Sequence, residues 1–98
     1  MKVVLHTLSA APSSAAFRDC LKVLQQGDAL VLMGDGVYVS LPGTRPCQAV
    51  QATGAELYVL GADARLAGVT KPADSIRSID MDDLVALTER YCRQLAWY

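Results

Sequence analysis

Three cysteines and one histidine are the side chains of this sequence best suited to chemistry. Cys20, Cys47 and Cys92 are widely spaced, with no C-x-x-C pair and no zinc-like grouping with His6. Three thiols cannot all pair within one chain, which favours a reducing, cytoplasmic setting over a disulfide framework. Sulfur chemistry needs a thiolate that is both ionised and accessible, so the surroundings of each cysteine decide what it can do.

The three thiols stand in different local contexts. Cys20 falls on the apolar stripe of the first predicted helix, where a thiol usually packs as a small core residue. Cys47 is predicted in the first turn of a second helix beside Arg45, where free backbone N–H groups favour a thiolate. Cys92 is predicted near the C-terminal end of the last helix, which disfavours a thiolate and indicates a structural role. Cys47 is therefore the more reactive candidate from context, and Cys20 stays open between packing and a sulfur role.

His6 and three aspartates are the remaining candidates for a site. We expect His6, Asp35, Asp63 and Asp80 to follow strands of a parallel sheet, at the edge where such folds bind ligands. His6 acting as a general base with Asp35 would support a stand-alone small-molecule enzyme. Hydrogen-bonding, turn and cap roles explain the same residues without catalysis. A lone G-x-G fragment and the lack of a P-loop predict no nucleotide site.

An alternation of strands and helices would position these residues. Apolar runs predict four strands, at 3–5, 29–33, 56–61 and 76–79, and the unbroken run at 29–33 indicates a central strand buried on both faces. Amphipathic segments predict four helices: one that starts at Pro12-Ser13-Ser14 and is closed by Gly27, one over 44–53, one over 63–67, and a long one from Asp80 past Arg93 to Leu95. This pattern predicts an α/β fold of three layers, α/β/α, around a small, mainly parallel four-stranded sheet.

Length and composition restrict the classes of protein. A chain of 98 residues with 52% hydrophobic side chains predicts one domain over residues 1–98, and the apolar share favours an oligomer. Nine basic against ten acidic residues exclude a positive field that would attract nucleic acid or an anionic membrane. The apolar run near the amino end is too short for a signal peptide, which again predicts a cytoplasmic protein. We expect Trp97 to pack on the core or on a neighbouring subunit.

Several motifs, taken in order, resemble the TusB/DsrH family. They are Leu-His-Thr-Leu at 5–8, Gly-Asp at 27–28, Asp-Gly-Val-Tyr at 35–38, Leu-Tyr-Val-Leu-Gly at 57–61, and Gln-Leu-Ala-Trp at 94–97. The resemblance covers nearly the whole chain. It implies a DsrE-like fold and a heterohexamer with two copies each of three homologous subunits, this chain joining TusC/DsrF-like and TusD/DsrE-like partners.

The resemblance also implies a function. This chain would be an accessory subunit of a TusBCD-type relay that passes persulfide sulfur, through a TusE-like acceptor, toward 2-thiolation of the tRNA wobble uridine. The alternative is the DsrH subunit of a DsrEFH complex in dissimilatory sulfur oxidation. The principal sulfur-carrying cysteine belongs to another subunit, so we expect a non-catalytic subunit without cofactor or metal. Cys20 resembles the first-helix cysteine of DsrH-type members, which makes it the candidate persulfide carrier of this chain.

Overall fold

The computed structural model describes residues 3–98, so Met1 and Lys2, which begin the predicted domain, lie outside the described residues. In chain order the elements are β1 (Val4–Leu8), α1 (Ala15–Val23), β2 (Ala29–Leu32), a 3₁₀ segment (Gly34–Ser40), α2 (Arg45–Gln51), β3 (Glu56–Leu60), α3 (Gly61–Leu66), β4 (Ile76–Ile79), α4 (Met81–Arg90) and β5 (Arg93–Trp97). No helix in this part of the chain is long and apolar enough to cross a membrane.

The strands form one parallel sheet in the order β4-β3-β2-β1-β5. Strand β2 lies at its centre, and all four of its side chains are fully buried, as the unbroken apolar run predicts. Parallel neighbours need crossover connections, and the helices supply them. The mainly parallel α/β fold predicted from the sequence is therefore confirmed.

The sheet separates two apolar cores of unequal size. The larger core packs α1, the 3₁₀ segment, α2 and α3 against one face, and it includes Phe17, Cys20, Val37, Cys47, Val50 and Ala64. The smaller core packs α4 alone against the other face, through Leu84 and Leu87. These two packed layers and the sheet make the three layers that the sequence predicts.

Local sequence signals fix the starts of three helices where they were predicted. Ser14 caps α1 and Thr44 caps α2, each side chain accepting a hydrogen bond from a backbone N–H three residues later. Asp80 begins α4 with a capping box, in which Asp80 accepts from the Asp83 N–H at 2.8 Å and Asp83 accepts from the Asp80 N–H at 3.1 Å. Helix α1 ends at Val23, earlier than the predicted stop at Gly27.

The prediction of a four-stranded sheet and a long final helix is wrong at the carboxyl end. Helix α4 stops at Arg90, because Tyr91 takes an extended conformation with φ −110° and ψ 121°. Residues Arg93–Trp97 then form β5, a fifth strand that pairs in parallel with β1. The spacing of Leu95 fits a helix, but pairing with the open edge of β1 satisfies the backbone groups that the two strands turn toward each other.

Strand β1 also differs from its prediction, and this difference moves a candidate residue. The strand continues to Leu8, so His6 lies in its middle and not beyond its end. The 3₁₀ segment packs closely on the end of this strand, because a Cβ atom at Gly36 would overlap the carbonyl oxygen of Leu8. The structure therefore requires glycine at position 36 for space alone.

Candidate functional site

Cys20 lies inside the larger core and not on the surface. Its side chain is 1% exposed and packs in the same cluster as Phe17 and Leu24. Burial, and to a smaller extent the negative charge of Asp28, raises the pKa of the Cys20 thiol from 9.0 to about 11. In this conformation Cys20 is a neutral thiol that no reagent or partner can reach.

Cys47 is not the exposed, activated thiol that its sequence context predicts. It does stand in the first turn of α2, where its backbone N–H donates to the Thr44 hydroxyl at 3.4 Å. Its side chain, however, is fully buried beside Val50, and burial raises its pKa. Helix N-termini favour a thiolate only where the sulfur stays accessible, and here the sulfur faces the core.

Cys92 is the exposed thiol among the three. It was predicted inside the last helix as a structural residue, but it lies in the connection between α4 and β5. The three sulfur atoms are therefore distributed over two core positions and one surface connection.

His6 is fully buried, and both of its ring nitrogens have partners. Nε2 lies 3.0 Å from Oδ2 of Asp28, while Nδ1 accepts a hydrogen bond from Nε1 of Trp97 at 3.1 Å. The two ring planes are within 21° of parallel and the centroids are 6.2 Å apart, so the rings meet edge to edge through this hydrogen bond. His6 thus has neither a free nitrogen nor an exposed surface with which to act as a general base.

Asp28 anchors this group of side chains from the turn before β2. Its Oδ1 accepts from the Val4 N–H at 3.0 Å, and its Oδ2 accepts from the Gln25 N–H at 3.1 Å as well as meeting His6. A buried carboxylate needs such donors, since an unpaired charge in the core is costly. Sequence reasoning gave Asp28 no role of its own, although it belongs to one of the motifs that carry the resemblance.

Of the other aspartates, Asp80 has the cap role that explains it without catalysis, while Asp35 lies in the first turn of the 3₁₀ segment. Asp63 accepts a hydrogen bond from the Gly34 N–H at 2.8 Å and so joins the start of α3 to the end of β2. Asp35 and Asp63 line an open pocket of about 270 Å³ together with Tyr38 and Leu66. Asp80 lines a separate pocket with Asp63. His6 lines neither pocket, so the structure does not form the predicted pairing of His6 with Asp35 at one edge.

The chemistry of this arrangement is that of a closed thiol beside a buried polar network. Within residues 3–98, no three His, Cys, Asp or Glu side chains are grouped to hold a metal ion. The network joins β1, the turn before β2 and β5, while the thiol of Cys20 lies near it on α1. Such an arrangement stabilises the closed fold. The Cys20 thiol could act as a nucleophile only if this part of the fold opened.

Comparisons with known proteins agree with the motifs. The sequence model of the family described as DsrH like protein matches residues 10–94. Curated proteins named TusB from Salmonella enteritidis and Klebsiella pneumoniae are 37% and 38% identical over 95 residues, covering 96% of this chain and 100% of each relative. The crystal structure of the ychN protein from E. coli superposes with a TM-score of 0.78 at 16% identity and covers 99% of this chain, which supports the fold. With a family match over most of its length and full-length relatives above 30% identity, the chain belongs to the TusB/DsrH family.

Proposed function

We propose that this chain is an accessory subunit of a TusBCD-type sulfur relay complex, which passes persulfide sulfur toward 2-thiolation of the tRNA wobble uridine. The observation that carries the proposal is the full-length similarity to proteins named TusB. The partners would be TusC/DsrF-like and TusD/DsrE-like subunits in a cytoplasmic heterohexamer, and a TusE-like protein would accept the sulfur. The tRNA itself would be reached through those proteins, since nine basic against ten acidic residues give the whole chain no net positive charge.

The chemistry of sulfur relay explains why an accessory role suits this chain. An acceptor thiolate attacks the outer sulfur of a donor persulfide, the S–S bond of the donor breaks, and the donor leaves as a thiolate while the acceptor becomes the persulfide. The acceptor must therefore be both ionised and reachable. Cys20 and Cys47 are buried with raised pKa values, so the closed chain supplies neither as an acceptor.

Exposed apolar side chains support assembly with partners. Leu66 is 88% exposed and Tyr98 is 86% exposed, and Met81 and Val85 lie one helical turn apart on the outer side of α4. Exposing a large apolar side chain to water costs free energy, and covering it with a partner surface recovers that free energy. A small domain gains stability when such a partner binds.

Cys20 remains the predicted persulfide carrier of this chain, in a form that the structure makes testable. Because its thiol is closed in the folded subunit, carriage requires that α1 or the network beneath it opens when a partner binds. If no such opening occurs, Cys20 is a packing residue and the sulfur passes through another subunit. The two roles differ in where sulfur is found after loading.

Native mass spectrometry of the co-expressed subunits tests the proposal. We expect a hexamer with two copies of each subunit, and after treatment with a persulfide donor we expect added sulfur of 32 Da on the TusD-like subunit. Added sulfur on this chain that disappears in Cys20→Ser would establish Cys20 as a carrier. The matched control is Cys92→Ser, which removes the exposed thiol and should leave specific loading unchanged. Failure to form any complex with these subunits would contradict the proposal.

The second candidate, the DsrH subunit of a DsrEFH complex in sulfur oxidation, is favoured by the description of the matching family. Neighbouring genes separate the two. TusC, TusD and TusE genes alone favour tRNA thiolation, whereas a dissimilatory sulfite reductase operon favours sulfur oxidation. Deletion of the gene gives a direct measurement, because only the first function predicts loss of 2-thiouridine from tRNA.

A further inference from the structure

The hydrogen bond between Trp97 and His6 fixes the protonation state of the imidazole. An indole N–H only donates, so Nδ1 of His6 accepts and carries no proton. The single proton of the neutral ring is then on Nε2, from which it is donated to the Asp28 carboxylate at 3.0 Å. His6 is therefore assigned as the neutral Nε2–H tautomer by its two partners.

A second proton on His6 would affect its two partners differently. Asp28 accepts from Nε2–H in both protonation states, so this contact persists. The added proton would sit on Nδ1 and face the indole N–H, which places two donors against each other across 3.1 Å. Only the contact with Trp97 is incompatible with the imidazolium form.

Strand β5 is held mainly by its backbone pairing with β1, because few of its side chains are buried. Four of its five residues are exposed, and Trp97 is the residue of the strand that packs against the larger core. Its backbone pairs with β1 on one side, and its other side is the edge of the sheet. Elements with few buried contacts open at the lowest free energy, so loss of the Trp97 contact would act first on β5.

Among the residues that the structure describes, few charged or titratable groups lie near the imidazole. Asp28 faces it from the turn before β2 and is the charged group in contact with it. Cys20 from α1 and Tyr91 after α4 are titratable groups within electrostatic range of Asp28. Because their pKa values are raised, the Cys20 thiol and the Tyr91 phenol are both uncharged at neutral pH. Neither the thiol nor the phenol therefore brings a charge to the imidazole at neutral pH.

We propose that His6 is a proton-sensitive latch on the carboxyl-terminal strand: protonation at Nδ1 expels the Trp97 indole and loosens β5 from β1. Release would expose the backbone groups of β1 along the freed edge, where a strand of another molecule could pair. The latch depends on the buried geometry of three side chains and not on the relay function proposed above.

The one tryptophan of the chain makes the latch directly observable. We would record the indole N–H resonance of Trp97, the imidazole Cε1–H resonance of His6 and backbone amide exchange by NMR on the full chain from pH 8 to pH 5. We expect the indole signal to shift and its protection to fall at least tenfold together with the β5 amides, at the midpoint of the imidazole titration. Amides of β2 and β3 should stay protected.

Two variants separate the latch from general destabilisation. In His6→Gln, a polar side chain that does not titrate, we expect no transition of the indole signal over this range. In Trp97→Phe, which keeps an aromatic ring but lacks the donor, the protection of β5 should no longer follow His6.

Several results would overturn the proposal. They are an unchanged indole signal while His6 titrates, an imidazole that does not titrate between pH 8 and 5, and the same transition in His6→Gln. Simultaneous exchange of all strands would equally contradict a local latch. If His6→Gln does not fold, the wild-type titration alone decides, through the agreement or disagreement of the two midpoints.

Discussion

Cys20 should react with an alkylating reagent far more slowly than Cys92 in the folded chain. Raising the pKa of Cys20 from 9.0 to about 11 lowers its thiolate fraction about a hundredfold at any pH well below both values. Its side chain is 1% exposed, so reagent must also wait for a local opening, which slows the reaction further. At pH 7.5 we therefore expect a rate at least about 100-fold below that of an unburied thiol.

Pulsed alkylation with iodoacetamide followed by tryptic digestion measures the three thiols separately. Cys20 falls on the peptide 19–22, Cys92 falls on 91–93, and Cys47 lies on the long peptide between them, because trypsin does not cleave between Arg45 and Pro46. We expect the rate at Cys20 to rise about tenfold per pH unit between pH 7 and pH 9, since only the thiolate reacts. In urea the three rates should converge, which gives the internal reference.

Comparable rates at Cys20 and Cys92 in the folded chain would refute this reasoning. They would mean that α1 opens easily and that burial of the Cys20 side chain does not protect its thiol from the reagent. Repeating the measurement in the assembled complex then has functional meaning. Faster reaction of Cys20 there would show that a partner opens the site, as persulfide carriage at Cys20 requires.

Three further outcomes follow from the same structure. Cys20→Ser should fold and assemble, because serine keeps the shape of cysteine. Its free energy of unfolding in urea should be about 1–3 kcal/mol lower, because a hydroxyl is buried in the core; an increase in stability would contradict this. Between pH 9 and pH 11 the free energy of unfolding should fall by about 2–3 kcal/mol, because Cys20 loses its proton at lower pH in the unfolded chain than in the folded chain. Cys20→Ala should reduce this loss of stability. Gly36→Ala should lower the free energy of unfolding by about 1–3 kcal/mol, since its methyl group would overlap the Leu8 carbonyl oxygen, and unchanged thermal unfolding would show that the 3₁₀ segment can move away.

Features that depend on neighbouring residues were predictable from the sequence. The unbroken apolar run of β2 indicated a central strand, and the segment 12–14 and the caps Thr44 and Asp80 marked helix starts found in the structure. In each case the residues that form the element also supply the signal. The parallel α/β architecture followed because these elements alternate along the chain.

The thiols show where such local signals stop. The first turn of α2 correctly placed Cys47 near free backbone N–H groups, but it could not show that the side chain faces the core. Accessibility depends on which face of α2 the sheet covers, and a seven-residue helix offers too few positions to define that face from periodicity. For Cys20 the longer apolar stripe of α1 did indicate burial, and the structure agrees.

The interpretation of His6 depended on the strand that the sequence did not predict. Without β5, His6 would lie on an open strand with a free ring nitrogen, which is the setting that a general base needs. Once Arg93–Trp97 pairs with β1, Trp97 comes within 3.1 Å of a residue 91 positions earlier in the chain and occupies that nitrogen. A contact between the two ends of the chain leaves no periodic pattern in either segment. The same strand therefore removes His6 from catalysis and makes it a point at which a proton can act on the fold.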